Sequence, residues 1–433
     1  MKSSQIFKGD KVIWVIFFFL CIISLVEVFS AASTLSYKSG SFWSPFIKQA
    51  CFLALGTLVV VGVHNIPCRF FKVIPIFFLP VCCILLLVTS FFGGSTNDAA
   101  RWIEFGVFRF QPSELAKGAV ITSVALILAR MQRKDGADPR AFKYIMWITG
   151  IFFLLIFTEN LSTAALLFGV VFLMMFIGRV PLILLGKLLG ILFAMLLFVV
   201  LIIKVVPKDS AVFELPGLHR LSTWKARLEK HSNDKELSAA KFDVENNAQV
   251  AHANIAIASS KIRGKGPGNS IERDFLSQAF SDFIFAIVIE ELGIFGAIGV
   301  VLLYVWLLFR AGRIASRCER NFPAFLVMGL ALLLVSQAVL NMMVATGLFP
   351  VTGQPLPLIS RGGTSTLVTC AYIGMMLSVS RYARSAKEHS DPFVAEGESI
   401  KGVVRQDEKV AEIVEEEPVA EEKEVTQEVS FEV

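Results

Sequence analysis

The chain has 433 residues, of which 55% are hydrophobic and only 18% charged, with a mean hydropathy of +0.66. A soluble globular chain usually carries about 25% charged residues, so a water-soluble fold is excluded and nucleic acid is not an expected partner. The net charge of +5 hides a division: residues 384–433 hold 6 Lys/Arg against 15 Asp/Glu, and the remainder is strongly basic.

Apolar runs near twenty residues recur along the first 380 positions, the length a helix needs to cross about 30 Å of hydrocarbon. The first run is too long for a signal-peptide core and lacks a clean small-residue cleavage pattern. Spans are expected at about 12–32, 46–66, 73–93, 113–131, 143–158, 161–178, 182–206, 283–309, 323–346 and 364–382. This is an all-α integral membrane protein of about ten transmembrane helices. Residues 1–11 form a short N-terminus, 12–383 the membrane domain and 384–433 an acidic tail without apolar periodicity. Such a tail reads as a disordered, solvating extension, with docking as the alternative.

Orientation follows the excess of cations in cytoplasmic loops. Arg130, Arg133, Lys134, Arg140 and Lys143 follow the fourth span; Arg310, Arg313, Arg317 and Arg320 follow the eighth. Both termini are then cytoplasmic. The outer side receives loops at 33–45 and 94–112, a long polar segment at 207–282 between spans seven and eight, and a Pro/Gly-rich stretch at 347–363. The seven cysteines, Cys21, Cys51, Cys68, Cys82, Cys83, Cys318 and Cys370, show no metal spacing and imply no disulfide framework.

Ionisable groups at membrane depth are costly and mark functional sites by default. In chain order, the first cluster is Asn97-Asp98-Ala99-Ala100-Arg101-Trp102-Ile103 with Phe110-Gln111-Pro112-Ser113-Glu114-Leu115-Ala116-Lys117. Pro112 suits a first helical turn, and Glu114 and Lys117 share one helical face. They form either an interfacial ion pair or, with Arg101, a site for an anionic headgroup, since the planar Arg fork matches phosphate oxygens. The second cluster is Lys265-Gly266-Pro267-Gly268-Asn269-Ser270 with Phe280-Ser281-Asp282-Phe283-Ile284-Phe285. Its glycines allow close backbone approach to a ligand. Asp282, where a polar loop meets an apolar helix, either caps that helix or serves as a general base.

Glu290-Glu291 form the third cluster, two adjacent carboxylates inside the eighth span that face a polar cavity or pair with cations from elsewhere. The fourth, Gly347 to Ser365, is too broken for a helix and too apolar for a free loop. Irregular backbone at membrane depth is tolerated only when buried in protein or lining a cavity. Ser360, Thr364 and Ser365 supply neutral donors there. Glu27 in the first span and Glu159-Asn160 are weaker candidates, with structural roles as the alternative.

These blocks, in this order, resemble the SEDS family of FtsW and RodA over about residues 10–385. The carrying residues are Ser24-Leu25-Val26-Glu27-Val28-Phe29-Ser30, Ala100-Arg101-Trp102-Ile103, Gln111 to Lys117, Gly266 to Ser270, Asp282 to Phe285 with Glu290-Glu291-Leu292-Gly293, and Pro357 to Ser365. Val28-Phe29-Ser30-Ala31 and the charged tail favour the division branch, with the elongation branch as the alternative. The resemblance implies a peptidoglycan glycosyltransferase acting on lipid II, partnered by a class B penicillin-binding protein and other division membrane proteins. It implies residence in the bacterial cytoplasmic (inner) membrane, at the septum.

The family's proposed catalytic Asp falls on Asp282, as the base that takes the acceptor hydroxyl's proton. Arg101 and Lys117, with Lys265, would stabilise the departing pyrophosphate. Gln111, Ser113, Glu114, Asn269, Ser270, Glu290, Glu291, Ser360, Thr364 and Ser365 complete the expected substrate-binding set. No ligand cluster requires a metal or other cofactor, although a divalent cation, Mg2+ or Mn2+, at the pyrophosphate suits the chemistry. The chain departs from the family pattern in three places: Phe280-Ser281 stands where His-Thr is usual, Asn160 where Asp is usual, and Arg361 where a Tyr precedes the Gly-Gly pair. Arg361 would add positive charge to the cavity. The rival readings are a lipid II flippase, because broken helices and intramembrane carboxylates are also transporter features, and a non-catalytic scaffold.

Overall fold

A segment surrounded by lipid must satisfy its own backbone N–H and C=O groups, which leaves the apolar runs of this chain no alternative to helix. The computed structural model describes residues 7–30, 43–92, 94–96, 99–105, 108–205, 248–276 and 279–390, without side chains at 91–109, 196, 198–205, 248 and 384–390. In chain order the helices are α1 (Lys11–Ser30), α2 (Ser44–Asn65), α3 (Ile74–Phe92), α4 (Pro112–Arg130), α5 (Pro139–Glu159), α6 (Leu161–Ile177), α7 (Leu182–Val205), α8 (Ala248–Ser259), α9 (Ile284–Ala315), α10 (Asn321–Ala345) and α11 (Thr364–Ser390).

All but α8 stand at the ten places expected from hydropathy. Among the described residues, seven helical segments are long and apolar enough to cross a membrane, while Leu161–Ile177 and Leu182–Met195 are apolar but shorter. The chain is a multi-pass membrane protein. It divides into two units, Met1–Ala383 and Arg384–Val433; the acidic tail beyond Ser390 lies outside the described residues, as do 31–42 and 206–247 of the expected outer loops.

Within the first unit α4 is the central helix, packed against α3, α5, α6 and α10. Almost every residue from Pro112 to Leu128 is buried, and small or short side chains (Ala116, Gly118, Ala119, Ser123, Ala125) let its neighbours approach closely. At the other extreme α7 packs chiefly on α6 and leaves Leu182, Ile183, Ile191 and Phe193 exposed, a face suited to lipid. The α9–α10 pair is the most extensive helix contact and carries most of the polar centre described below.

Three features were not anticipated. The 94–112 segment is not a plain loop: β1 (Gly94–Thr96), β2 (Ala99–Phe105) and β3 (Phe108–Phe110) form a small antiparallel sheet, with Ile103 opposite Phe110. The described end of the 207–282 segment holds α8 and a 3-10 turn at Glu272–Asp274. His252 of α8 is bound to the Glu272 carboxylate at 2.6 Å, and its ring stacks on Phe275.

The third is a break in the eighth span. Expected as continuous, α9 is interrupted at Gly293, which sits at φ 69°, ψ −168°. Ile284 to Glu291 form a short helix buried in protein, and the lipid-accessible span begins only after the break. The cause is a close crossing of backbones, because a Cβ at Gly293 would collide with the Ile262 carbonyl and the Gly264 amide, and a Cβ at Gly264 with the Glu291 carbonyl. Carbonyls freed by the break are satisfied from outside, Glu290 O by Lys265 N–H and Glu291 O by Gly266 N–H, each at 2.9 Å. That backbone conformation is open almost only to glycine, at a cost of about 1–3 kcal/mol for other residues. Gly293→Ala should therefore lower the unfolding temperature of the detergent-solubilised protein, and more so than Gly299→Ala, where a Cβ meets nothing; equal, small effects at both positions would contradict the crossing.

Candidate active site

Asp282 is partly exposed at the mouth of the buried half of α9, where a polar chain turns into an apolar helix. Phe283 occupies the N-cap position of that helix without a side-chain cap bond, and Asp282 stands one residue before it. Its Oδ1 accepts the Ser281 hydroxyl at 2.9 Å. The turn carrying it is held by three successive carbonyls. Phe280 O accepts Arg361 N–H at 2.9 Å, Ser281 O accepts Ser360 Oγ–H at 2.7 Å, and Asp282 O accepts Asn341 Nδ2–H at 2.9 Å. None of these bonds uses the carboxylate. The 347–363 segment and α10 thus fix the Asp282 turn through its carbonyls.

The 347–363 segment is itself pinned to α10. Asn341 and Gln337 lie one turn apart, and their side-chain amides donate to Gln354 O at 2.8 Å and Pro355 O at 3.1 Å. The Gln354 side chain reaches Thr163 on α6 at 2.6 Å, and Ser360 Oγ also accepts Leu356 N–H at 2.8 Å. Irregular backbone at this depth is therefore satisfied by amide and hydroxyl side chains, as its burial in protein requires.

Behind this lies a closed ion pair. Lys117 is 0% exposed and donates to Glu114 Oε1 at 2.9 Å and to Gln337 Oε1 at 3.0 Å. A lysine offers donors only, so it holds Gln337 with its oxygen toward α4 and its NH2 toward Pro355. The structure places Glu114 and Lys117 in this interior pair, joined through α10 to the segment that clamps Asp282, not on an open anion-binding surface. Tyr372 on α11 caps the arrangement by donating to Glu114 O at 2.5 Å.

Glu290 and Glu291 serve the 265–273 loop. Glu290, 0% exposed, accepts Lys265 Nζ at 2.6 Å, the Ser270 hydroxyl and Ile271 N–H at 3.1 Å. Glu291 accepts the Ser30 hydroxyl from α1, Gly268 N–H at 3.1 Å and Ser270 N–H at 3.3 Å, with Arg273 at 3.7 Å. Arg273 also donates to Ser30 Oγ at 2.7 Å and Gly268 O at 2.8 Å. Adjacent carboxylates inside an apolar helix are satisfied by a folded-back loop, with its two cations supplying the countercharge.

The other expected residues divide. Gln111 is the N-cap residue of α4 and Pro112 its first-turn proline. Ser113 is buried without a hydrogen-bond partner among the described residues. Asn269 is exposed and donates to Lys265 O at 3.1 Å. Ser365 and the partly buried Thr364 begin α11. Arg101 falls on β2, and its side chain lies outside the described part, as do Asn97 and Asp98. Glu27 is fully buried on the α1 stripe that also carries Ser24 and Ser30. Asn160 caps α6 by accepting Ser162 N–H at 3.0 Å, a task that Asn and Asp perform equally.

Missed in the sequence were Gln337, Asn341, Gln354 and Arg273. The signal for the first two was present: two amides four residues apart inside an apolar run have no reason to face lipid.

Helices around a buried polar centre, made from a broken helix and a Pro/Gly-rich segment, define a polytopic membrane protein built around an interior site. Residues 10–385 match the sequence profile of the FtsW, RodA and SpoVE cell cycle proteins, and the chain belongs to that family. It is 33% identical over 389 residues to the Haemophilus influenzae protein named "Probable peptidoglycan glycosyltransferase FtsW", covering 86% of this chain and 90% of that one. It is 31% identical over 333 residues to the peptidoglycan glycosyltransferase MrdB of Escherichia coli K12, covering 76% and 83%. Among solved structures, a chain from a peptidoglycan synthase complex that coordinates polymerization and crosslinking superposes with a TM-score of 0.65 at 24% identity, covering 87% and 98%. That likeness concerns the fold.

Proposed function

We propose that this chain is a peptidoglycan glycosyltransferase that polymerises lipid II into glycan strands during cell division. The carrying observation is Asp282: a partly exposed carboxylate on a turn whose three carbonyls are fixed from behind. The names borne by relatives that align along most of the chain support the reaction. In this reading the 4-hydroxyl of the acceptor N-acetylglucosamine attacks the anomeric carbon of the donor N-acetylmuramic acid. The hydroxyl proton passes to Asp282, the new glycosidic C–O bond forms, and undecaprenyl pyrophosphate departs with the electrons of the bond it loses. A positioned base of this kind contributes about 10²–10⁴-fold.

The reaction requires Asp282 to open to the outer side, in keeping with the distribution of cationic loops. The remaining parts of the reading are residence at the septum of the inner membrane and a class B penicillin-binding protein as cross-linking partner with other division proteins. A Mg2+ or Mn2+ ion at the pyrophosphate suits the chemistry and belongs to the same reading; among the described residues no three His, Cys, Asp or Glu side chains converge.

Purified protein supplied with labelled lipid II, with and without a cognate transpeptidase, should yield a ladder of glycan strands on a gel. Transbilayer movement of lipid II without polymer in either condition would instead identify a flippase, the reading favoured by the helix broken at Gly293.

A further inference from the structure

Cleavage of a sugar–pyrophosphate bond leaves negative charge on the pyrophosphate, and a cation must meet it. The cations joined to the candidate site are mostly committed already. Lys117 pairs with Glu114 at 2.9 Å and Lys265 with Glu290 at 2.6 Å, while Arg273 lies 3.7 Å from Glu291 and donates to Ser30 and Gly268. Each neutralises a buried carboxylate, so none is available to a ligand without exposing that carboxylate unpaired.

Arg361 is different. Its backbone N–H holds Phe280 O at 2.9 Å, which sets it beside the Asp282 turn. Its guanidinium lies 5.7 Å from the centre of the Phe280 ring. It makes no hydrogen bond and no ion pair with any described residue. Burial pulls its pKa below the usual arginine range. A guanidinium held near a ring face spends no N–H donor on it, and its planar fork matches two phosphate oxygens. A partly desolvated cation that pairs with no carboxylate among the described residues is held at a cost that an anion would remove.

We infer that Arg361 is a binding residue for the pyrophosphate of the polyprenyl-linked substrate. The inference rests on the reaction proposed above and adds the group that receives its leaving anion. Tyr, usual at this position in the family that the chain resembles, cannot do this by charge. The same chemistry could come from free pyrophosphate, so the two sources are tested separately.

The experiment uses the full-length protein in detergent, with Arg361→Gln, Arg361→Tyr and Arg361→Lys. Thermal stabilisation by farnesyl pyrophosphate and by inorganic pyrophosphate is titrated first, followed by lipid II turnover. A charge-assisted contact is worth about 1.5–3 kcal/mol, so Arg361→Gln and Arg361→Tyr should bind farnesyl pyrophosphate about tenfold or more weakly. Arg361→Lys should retain part of the affinity, and KM for lipid II should rise in the Gln and Tyr variants. Unchanged farnesyl pyrophosphate binding in both variants, or a loss confined to inorganic pyrophosphate, overturns the assignment. Binding is read without turnover, so the two failures separate: an inactive wild type with Arg361-dependent binding defeats only the polymerase reading, and an active wild type with Arg361-independent binding defeats only this inference.

Discussion

Asp282→Asn should give a folded protein that makes no glycan strands. The substitution is nearly isosteric, and the bonds that hold the turn run to the carbonyls of Phe280, Ser281 and Asp282 from Arg361, Ser360 and Asn341. An amide oxygen at 282 still accepts the Ser281 hydroxyl, so the local geometry survives. The substitution removes the negative charge and with it the capacity to take a proton. At equal amounts of folded protein, the polymerisation rate from lipid II should fall by about 10²–10⁴-fold, with the unfolding temperature close to that of the wild type. Glycan strands of normal length and yield from the purified variant would remove Asp282 from the chemistry. A fall in unfolding temperature matching the loss of activity would instead mean that the carboxylate supports the fold.

Much of the helical layout was legible because its cause is one-dimensional: an apolar run of membrane length can only be helix, wherever its neighbours lie. The break at Gly293 was not legible. The residue's neighbours in the chain read as continuous helix, and the conformation is set by the backbone of Gly264, nearly thirty residues away. The sheet at 94–110 was missed for a related reason, since Ala99 to Phe105 pairs with segments too short to show alternation. For the site, sequence reading found the charged residues but not what they touch. Glu114, Lys117, Glu290 and Glu291 stood out by their depth, and depth alone does not separate a group aimed at substrate from one neutralised inside. Arg361 stood out only as a departure from a family pattern; that it lies beside the Asp282 turn, paired with no carboxylate among the described residues, required three dimensions.

Lys117 is where the two interpretations of a buried charge give opposite results. The pair with Glu114 is sealed, with side-chain exposures of 0% and 4%. Removing one member of such a pair leaves an uncompensated charge and costs about 3–5 kcal/mol, whereas replacing both with neutral residues of similar size is often near neutral. Lys117→Met alone should therefore strongly destabilise the protein in thermal or denaturant unfolding, and Glu114→Gln with Lys117→Met should recover most of the loss. A double variant no more stable than the single one would show that the lysine is held by something other than the carboxylate. Turnover by the double variant then decides the residue's function. The Glu114 and Lys117 side chains are joined to the Asp282 turn through Gln337 and the 347–363 segment, so a stable double variant should still polymerise lipid II with little change in KM. Had Lys117 been the cation that meets the pyrophosphate, restored stability would come with a raised KM and no restoration of rate, because no amount of folding returns a missing charge.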